Sequence, residues 1–205
     1  MLDGNKKIAL FEGEEGFYNC TTVEFVQNSV INRCHTWDDY VMNHNQSYLI
    51  DTNGVKLLQQ VEWLTDNYGT TKDQTYIQMF TLNRINAGNK NDFLTTRLNL
   101  LNEDGSVIAK ADLTAIDPGD MEGVTAVSSS DARYAEYFGE DKGIYAKVGF
   151  QFIDKGCKLN AARISVRKYG DSKWYPSFGD PKGNPQKGDT WTINSIYYID
   201  YNPTN

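Results

Sequence analysis

Residues 94–115 can be folded back on themselves in one way that separates apolar from polar side chains. Taking Asp104-Gly105 as a two-residue turn, a dipeptide that tolerates positive φ at both central positions, sets Glu103 opposite Ser106. The pairs that follow on one face are Leu100 with Ala109, Leu98 with Ala111, Thr96 with Leu113 and Leu94 with Ala115. On the other face Asn99 meets Lys110, Arg97 meets Asp112 and Thr95 meets Thr114. The first face is apolar except for a threonine, and the second sets opposite charges across from each other. A slip of one residue would turn the leucines to the wrong side. The spacing therefore predicts an antiparallel sheet protein.

The same alternation recurs later in the chain. Ile144 to Ile153 places Ile144, Ala146, Val148, Phe150 and Phe152 on one face, and Lys158 to Tyr169 turns Ala162, Ile164 and Val166 inward. Thr190 to Tyr201 alternates Trp191, Ile193, Tyr197, Ile199 and Tyr201. Gln74 to Ile85 and the short Ile8 to Phe11 are further strand candidates. Helical signals fall mostly in the first third. Thr21 with Glu24 forms a capping-box pattern ahead of a stripe of Val23, Val26, Val30, Ile31 and Cys34. Thr36 with Asp39 opens a second short helix through Met42, and Ser130 caps a third through Phe138. Ser47 to Tyr68 fits helical spacing, but Asn53-Gly54 is also a hairpin turn, pairing Thr52 with Val55 and Leu49 with Leu58. Trp174 to Lys187, with Pro176, Pro181 and Pro185, reads as a long loop. Strands follow one another without helical crossovers, so the expected fold is mainly β. It is an antiparallel β-sandwich or jelly-roll-like fold with a few short helices in the N-terminal third. The 205 residues fit one such domain, with residues 1–45 as an N-terminal helical arm or appendage.

Composition narrows the partners. The formal net charge of -7 disfavours nucleic acid as the main partner and disfavours an anionic membrane surface. The polar start after Met1 contains no signal-like apolar segment, and no stretch approaches membrane-spanning length. The expectation is a chain that stays in the cell that makes it. Three cysteines, Cys20, Cys34 and Cys157, are too few and too odd in number for a disulfide framework.

No motif carries a reaction. Cys20, Cys34, His35 and His44 lack the paired spacing of a zinc site, and Cys34 lies on the apolar stripe. Asp117, Asp120 and Glu122 cluster on a loop without the twelve-residue calcium pattern. Two histidines leave few ways to build a nucleophilic triad, and no phosphate-cradling glycine loop is present. No catalytic residue, metal or cofactor is therefore expected.

Two surface features remain. Asp154 to Lys173 carries six basic residues against two acids, and Arg163, Ser165, Arg167 and Tyr169 share one strand face beside Lys168. Asp117 to Asp141 carries seven acids and one arginine, a complement that favours pairing between subunits. The second feature is the aromatic set Trp174, Tyr175 and Phe178 in the proline-containing segment. These features suggest a non-enzymatic virion protein, such as an auxiliary capsid, connector or fibre component of a bacteriophage, made in the host cytoplasm. It would assemble with other protein subunits as a homo-oligomer or larger particle through Arg163, Arg167, Lys168, Tyr169, Trp174, Tyr175 and Phe178. The alternative is a carbohydrate-binding or adhesion module using the loop aromatics. A glycoside hydrolase built on two of the 27 carboxylates is a third reading.

Overall fold

The computed structural model describes residues 2–3, 6–7, 20–32, 37–66, 80–86, 89–116, 124–154, 156–166 and 170–201. The strands run β1 (Leu2–Asp3), β2 (Lys6–Lys7), β3 (Val23–Asn32), β4 (Tyr40–Asp51), β5 (Gly54–Trp63), β6 (Phe80–Asn83), β7 (Ile85–Asn86) and β8 (Asn89–Phe93). They continue with β9 (Arg97–Leu101), β10 (Val107–Asp112), β11 (Val124–Ser129), β12 (Tyr134–Gly139), β13 (Ile144–Ile153), β14 (Lys158–Val166), β15 (Asp171–Gly179) and β16 (Thr190–Tyr201). An eight-stranded sheet has the order β10-β9-β12-β13-β16-β5-β4-β3, and a four-stranded sheet the order β11-β14-β15-β6. Two two-stranded pairs, β1-β2 and β7-β8, complete the described strands, and every pairing is antiparallel.

The β9–β10 hairpin has the register expected over its body: Leu100 faces Ala109, Asn99 faces Lys110, Leu98 faces Ala111 and Arg97 faces Asp112. Its tip differs. Gly105 N–H donates to Asn102 O (3.2 Å) and Asn102 N–H to Ser106 O (3.0 Å), so three residues form the loop, with Gly105 at φ 86°. That is a type I turn closed by a left-handed glycine, which shifts the pairing by one residue. An irregularity between Val107 and Ala109 restores the register, leaving Leu98 and Leu100 fully buried. The open end is held by buried Arg84, whose Nη1 donates to Leu113 O (2.9 Å) and Ile116 O (2.7 Å).

The expected helices are strands. Among the described residues the sole helix is a 3₁₀ turn, Glu140–Lys142. Residues 23–32 pair with β4 as the edge of the large sheet. The helical stripe misled because most side chains on this edge strand are exposed, which leaves little alternation to read. Tyr40–Asp51 and Gly54–Trp63 resolve the helix–hairpin ambiguity in favour of the hairpin. The turn is Thr52-Asn53, with Asp51 opposite Gly54, two residues from the expected register, so side chains keep their faces. Gly54 sits at φ 113°, and a Cβ there would lie 2.3 Å from Tyr197 O. Tyr134–Gly139, expected as helix, lies between β9 and β13. The Ile8–Phe11 candidate and residues 74–79 lie outside the described residues.

The segment from Trp174, expected as a loop, begins as strand β15. Pro176 is tolerated because the ladder to β6 ends at Trp174 opposite Phe80, so its missing N–H falls beyond the described pairing on that side. Trp174 and Phe178 are fully buried and meet Phe150 of the large sheet at 5.7 and 5.2 Å between ring centroids. Phe80 meets Tyr137 and Tyr197 at 6.0 and 5.9 Å. One core joins the two sheets, with Ala135, Ala146, Val148, Ala162, Ile164, Val166, Trp191 and Ile193 inside it. Phe152, expected inward, is 55% exposed because the register shifts between Phe150 and Phe152.

Trp174→Ala should destabilise the protein by about 3–5 kcal/mol in urea unfolding, the usual cost of emptying a large aromatic site. A loss below about 1 kcal/mol would place Trp174 at the surface instead.

Candidate functional site

The inner face of the large sheet divides in character. On β9, β12 and β13 it is apolar and packed, but on β5, β4 and β3 polar groups enter. The registers give rows running from β3 to β16: Phe25–Tyr48–Leu57–Ser195, Gln27–Gln46–Gln59–Ile193 and Ser29–His44–Val61–Trp191. Neighbouring rows add Ile31–Met42–Trp63 and Val23–Ile50–Val55–Tyr197. None of these side chains is an acid, lysine or arginine, although the opposite face of the same strands carries Glu24, Lys56 and Glu62.

Burial is graded across the rows. Leu57, Gln59, Val61 and Trp63 on β5 are buried. On β4, His44 is buried while Gln46 and Tyr48 are half-buried; on β3, Phe25 and Gln27 are exposed. The face is thus a ledge with an enclosed back and an open front. Phe25 and Tyr48 stack at 4.3 Å with an interplanar angle of 13°, forming an aromatic platform at the front. At the back, Trp63 and Trp191 meet edge to face at 5.2 Å.

His44 lies between the two. Its Nε2–H donates to the carboxamide oxygen of fully buried Gln59 at 3.1 Å, which leaves Nδ1 as an acceptor. Burial holds the imidazole pKa below its ordinary value, and the Gln59 hydrogen bond only partly offsets that, so the ring is neutral near pH 7. Gln59 Nε2, Ser195 Oγ and the indole nitrogens of Trp63 and Trp191 are buried without a protein partner. A buried donor left unmet costs about 1–3 kcal/mol. Four on one patch mark a place where water or ligand oxygens belong.

A second concavity, of about 500 Å³, lies over the β9–β10 hairpin and is lined by Thr96, Arg97, Lys110, Ala111, Asp112, Thr114 and Glu140. Arg97 is 2.6 Å from Glu140 and lies 3.9 Å over the Phe138 ring. The Arg97 contact holds the Glu140 carboxyl below its usual range, and the Thr114 hydroxyl and N–H do the same for Asp112. Two carboxylates kept ionised do not supply the raised-pKa acid that glycoside hydrolysis needs.

The residues singled out from the sequence scatter. Trp174 and Phe178 belong to the core, so the expected aromatic loop surface does not exist as such. Tyr175 points to the opposite face of β15, where Arg163 and Lys173 approach its ring at 4.8 and 4.7 Å. Arg163 and Tyr175 are thus brought together, while Arg167, Lys168 and Tyr169 lie outside the described residues. Cys34, His35 and the acidic loop Asp117–Glu122 also lie outside them. Cys157 is buried, and burial, followed by Asp154 and Asp180, pushes its thiol up to about 12. Sequence reading missed His44, Gln46 and Gln59. Their signal was the i, i+2 spacing of Met42, His44, Gln46 and Tyr48, visible once β4 is read as a strand.

No protein-family model matches the chain, and no curated protein does. Solved structures do. The Slr1438 protein of Synechocystis sp. PCC 6803 is 7% identical over 88% of this chain and 62% of its own, with a TM-score of 0.45. A candidate aldose 1-epimerase of Escherichia coli K12 is 9% identical over 91% of this chain and 68% of its own, with a TM-score of 0.45. A galactose mutarotase-like protein of Clostridium acetobutylicum is 9% identical over 88% and 63%, with a TM-score of 0.44. The chain spans about 62–68% of the length of these proteins. The expectation of a non-enzymatic bacteriophage capsid, connector or fibre protein, located in the virion, is corrected by this finding. The similar structures carry epimerase and mutarotase names, and none is named as a virion component. Among the described residues, no helix is long and apolar enough to cross a membrane.

Because the folded-state pKa of His44 lies below the ordinary 6.5, the unfolded chain takes up that proton first as pH falls. This contribution to stability is full above about pH 6.5 and is lost progressively below it. His44→Gln should remove that step from urea midpoints measured between pH 7 and 5. It should leave the loss at lower pH, where the depressed Asp112 and Glu140 protonate. An unchanged pH profile in the variant would show that His44 is not held neutral by the fold.

Proposed function

We propose that this chain binds a neutral carbohydrate on the inner face of β3, β4 and β5. One observation carries the reading: an uncharged ledge on which amide side chains alternate with a stacked aromatic pair, in a protein whose net charge is -7. A sugar hydroxyl both donates and accepts, and carboxamides offer both functions on one planar group. Gln27, Gln46 and Gln59 form such a row from the open front to the enclosed back. The hydrophobic face of a sugar ring packs on aromatic surface, which Phe25 and Tyr48 supply beside that row. The lack of any fixed charge selects against uronic and sialic acids, because a carboxylate brought there would be desolvated without a counter-ion. This keeps the carbohydrate reading of the sequence but moves it from Trp174, Tyr175 and Phe178 to another surface. Two of the similar structures are named for sugars of this class, yet the face itself bears the weight of the proposal.

His44 adds a chemical possibility to binding. A neutral imidazole can take a proton from a sugar hydroxyl and return it, which is the proton movement that exchange of anomers requires.

The test is calorimetric titration with a panel of neutral mono- and oligosaccharides and their acidic counterparts, with sugar NMR to follow anomer exchange. Neutral sugars should bind and acidic ones should not. Gln46→Ala and Tyr48→Ala should each weaken binding about tenfold or more while melting like the parent. Binding confined to acidic glycans, or binding indifferent to both substitutions, would refute the proposal.

A further inference from the structure

Among the described residues β3 has one neighbour in its sheet, β4, and forms the edge. Edge strands usually carry lysine, proline or a bulge, or are very short. β3 is 10 residues long and contains neither lysine nor proline. Its one irregularity, between Ile31 and Asn32, inserts the extra residue in β4 and leaves β3 regular. Large apolar side chains are exposed on both of its faces: Phe25 at 44%, Val26 at 65%, Val30 at 51% and Ile31 at 38%.

A two-fold contact must match a strand to itself, so that i meets j and j meets i. With the axis perpendicular to the sheet, paired residues share parity and both inner faces stay on one side. Centred on Asn28, the strand then reads as its own complement. Val26 meets Val30, Phe25 meets Ile31, Gln27 meets Ser29, Asn28 meets Asn28 and Glu24 meets Asn32. Apolar meets apolar and polar meets polar on both faces. A slip that centres the axis on Gln27 sets Val26 against Asn28 and Glu24 against Val30. Centring on Ser29 sets Val26 against Asn32 and Val30 against Asn28. We propose that β3 pairs antiparallel with β3 of a second copy about a two-fold axis at Asn28, making one sheet continuous across both chains.

Charge points the same way. A chain of net charge -7 resists its own copy, but this edge carries a single acid, Glu24. In the Asn28-centred register the two Glu24 side chains stand eight residues apart along the strands, about 27 Å. That is well beyond the screening length of physiological salt.

The test measures mass by light scattering behind size exclusion, from micromolar to millimolar protein, with three variants. The parent should show a concentration-dependent dimer. Val30→Lys should weaken it about tenfold or more, since the substituted pair occurs twice across the axis. Adding Val26→Glu to Val30→Lys sets opposite charges directly across the interface at both places and should restore the dimer. Asn28→Cys should form an intermolecular disulfide, because directly opposed Cα atoms at 4.5–5.5 Å lie within disulfide reach. A parent that stays monomeric at every concentration would overturn the proposal, as would a dimer indifferent to Val30→Lys. Loss of the dimer in the single variant without recovery in the double would overturn the register and with it the proposal.

Discussion

The architecture depends on Phe150 entering the angle between Trp174 and Phe178. Two sheets stand about 10 Å apart only if side chains from both fill the space between them. Here one large ring from the eight-stranded sheet is gripped by two from the four-stranded sheet. Phe80 does the same in mirror fashion against Tyr137 and Tyr197. These contacts anchor the smaller sheet over β12, β13 and β16. With four strands set against eight, burial fades across β5, β4 and β3. The polar ledge is thus a product of unequal sheet widths, and its residues answer to rules different from those of the core a few strands away.

How far the fold could be read from the sequence depended on how sharply each strand separates its faces. β13, β14 and β16 are inner strands with apolar residues at every second position. Both ends of β13 and β16 were placed from that alternation alone. The β9–β10 register followed from cross-strand complementarity, and only its turn departed, because Gly105 closes a three-residue loop. β3 defeated the same reasoning. An edge strand exposed on both sides has no reason to alternate, and Val23, Val26, Val30 and Ile31 fell by chance on a helical spacing. Pro176 misdirected the reading of β15 for a related reason. Proline argues against a strand only where a neighbour needs its N–H, and the described β6 ladder stops short of it.

The candidate site was harder to see than the core. Glutamine and a lone histidine have no signature of their own, and they became a group only when β4 and β5 were laid side by side. The aromatics that looked functional in the sequence were drawn into the interior, since a tryptophan on a two-sided strand is worth more as packing than as display. The basic strand face survives in part as Arg163 and Lys173 flanking Tyr175. There the ring draws both cations to itself. The ledge differs in kind: its one titratable imidazole is held neutral, so its interactions are with hydroxyls and amides.

β16 lies between β13 and β5 and is the strand that unites the two halves of the large sheet. It is also made last among the described strands. During synthesis, the β3–β5 meander is complete more than 120 residues before its neighbour β16 begins. At ordinary translation rates that interval lasts about 6–25 s. Throughout it the nascent chain carries an unpaired β5 edge with Leu57, Val61 and Trp63 bare on one side. The ribosome-bound intermediate is therefore a natural client for a holding chaperone, and its exposure ends when the last strand slides in.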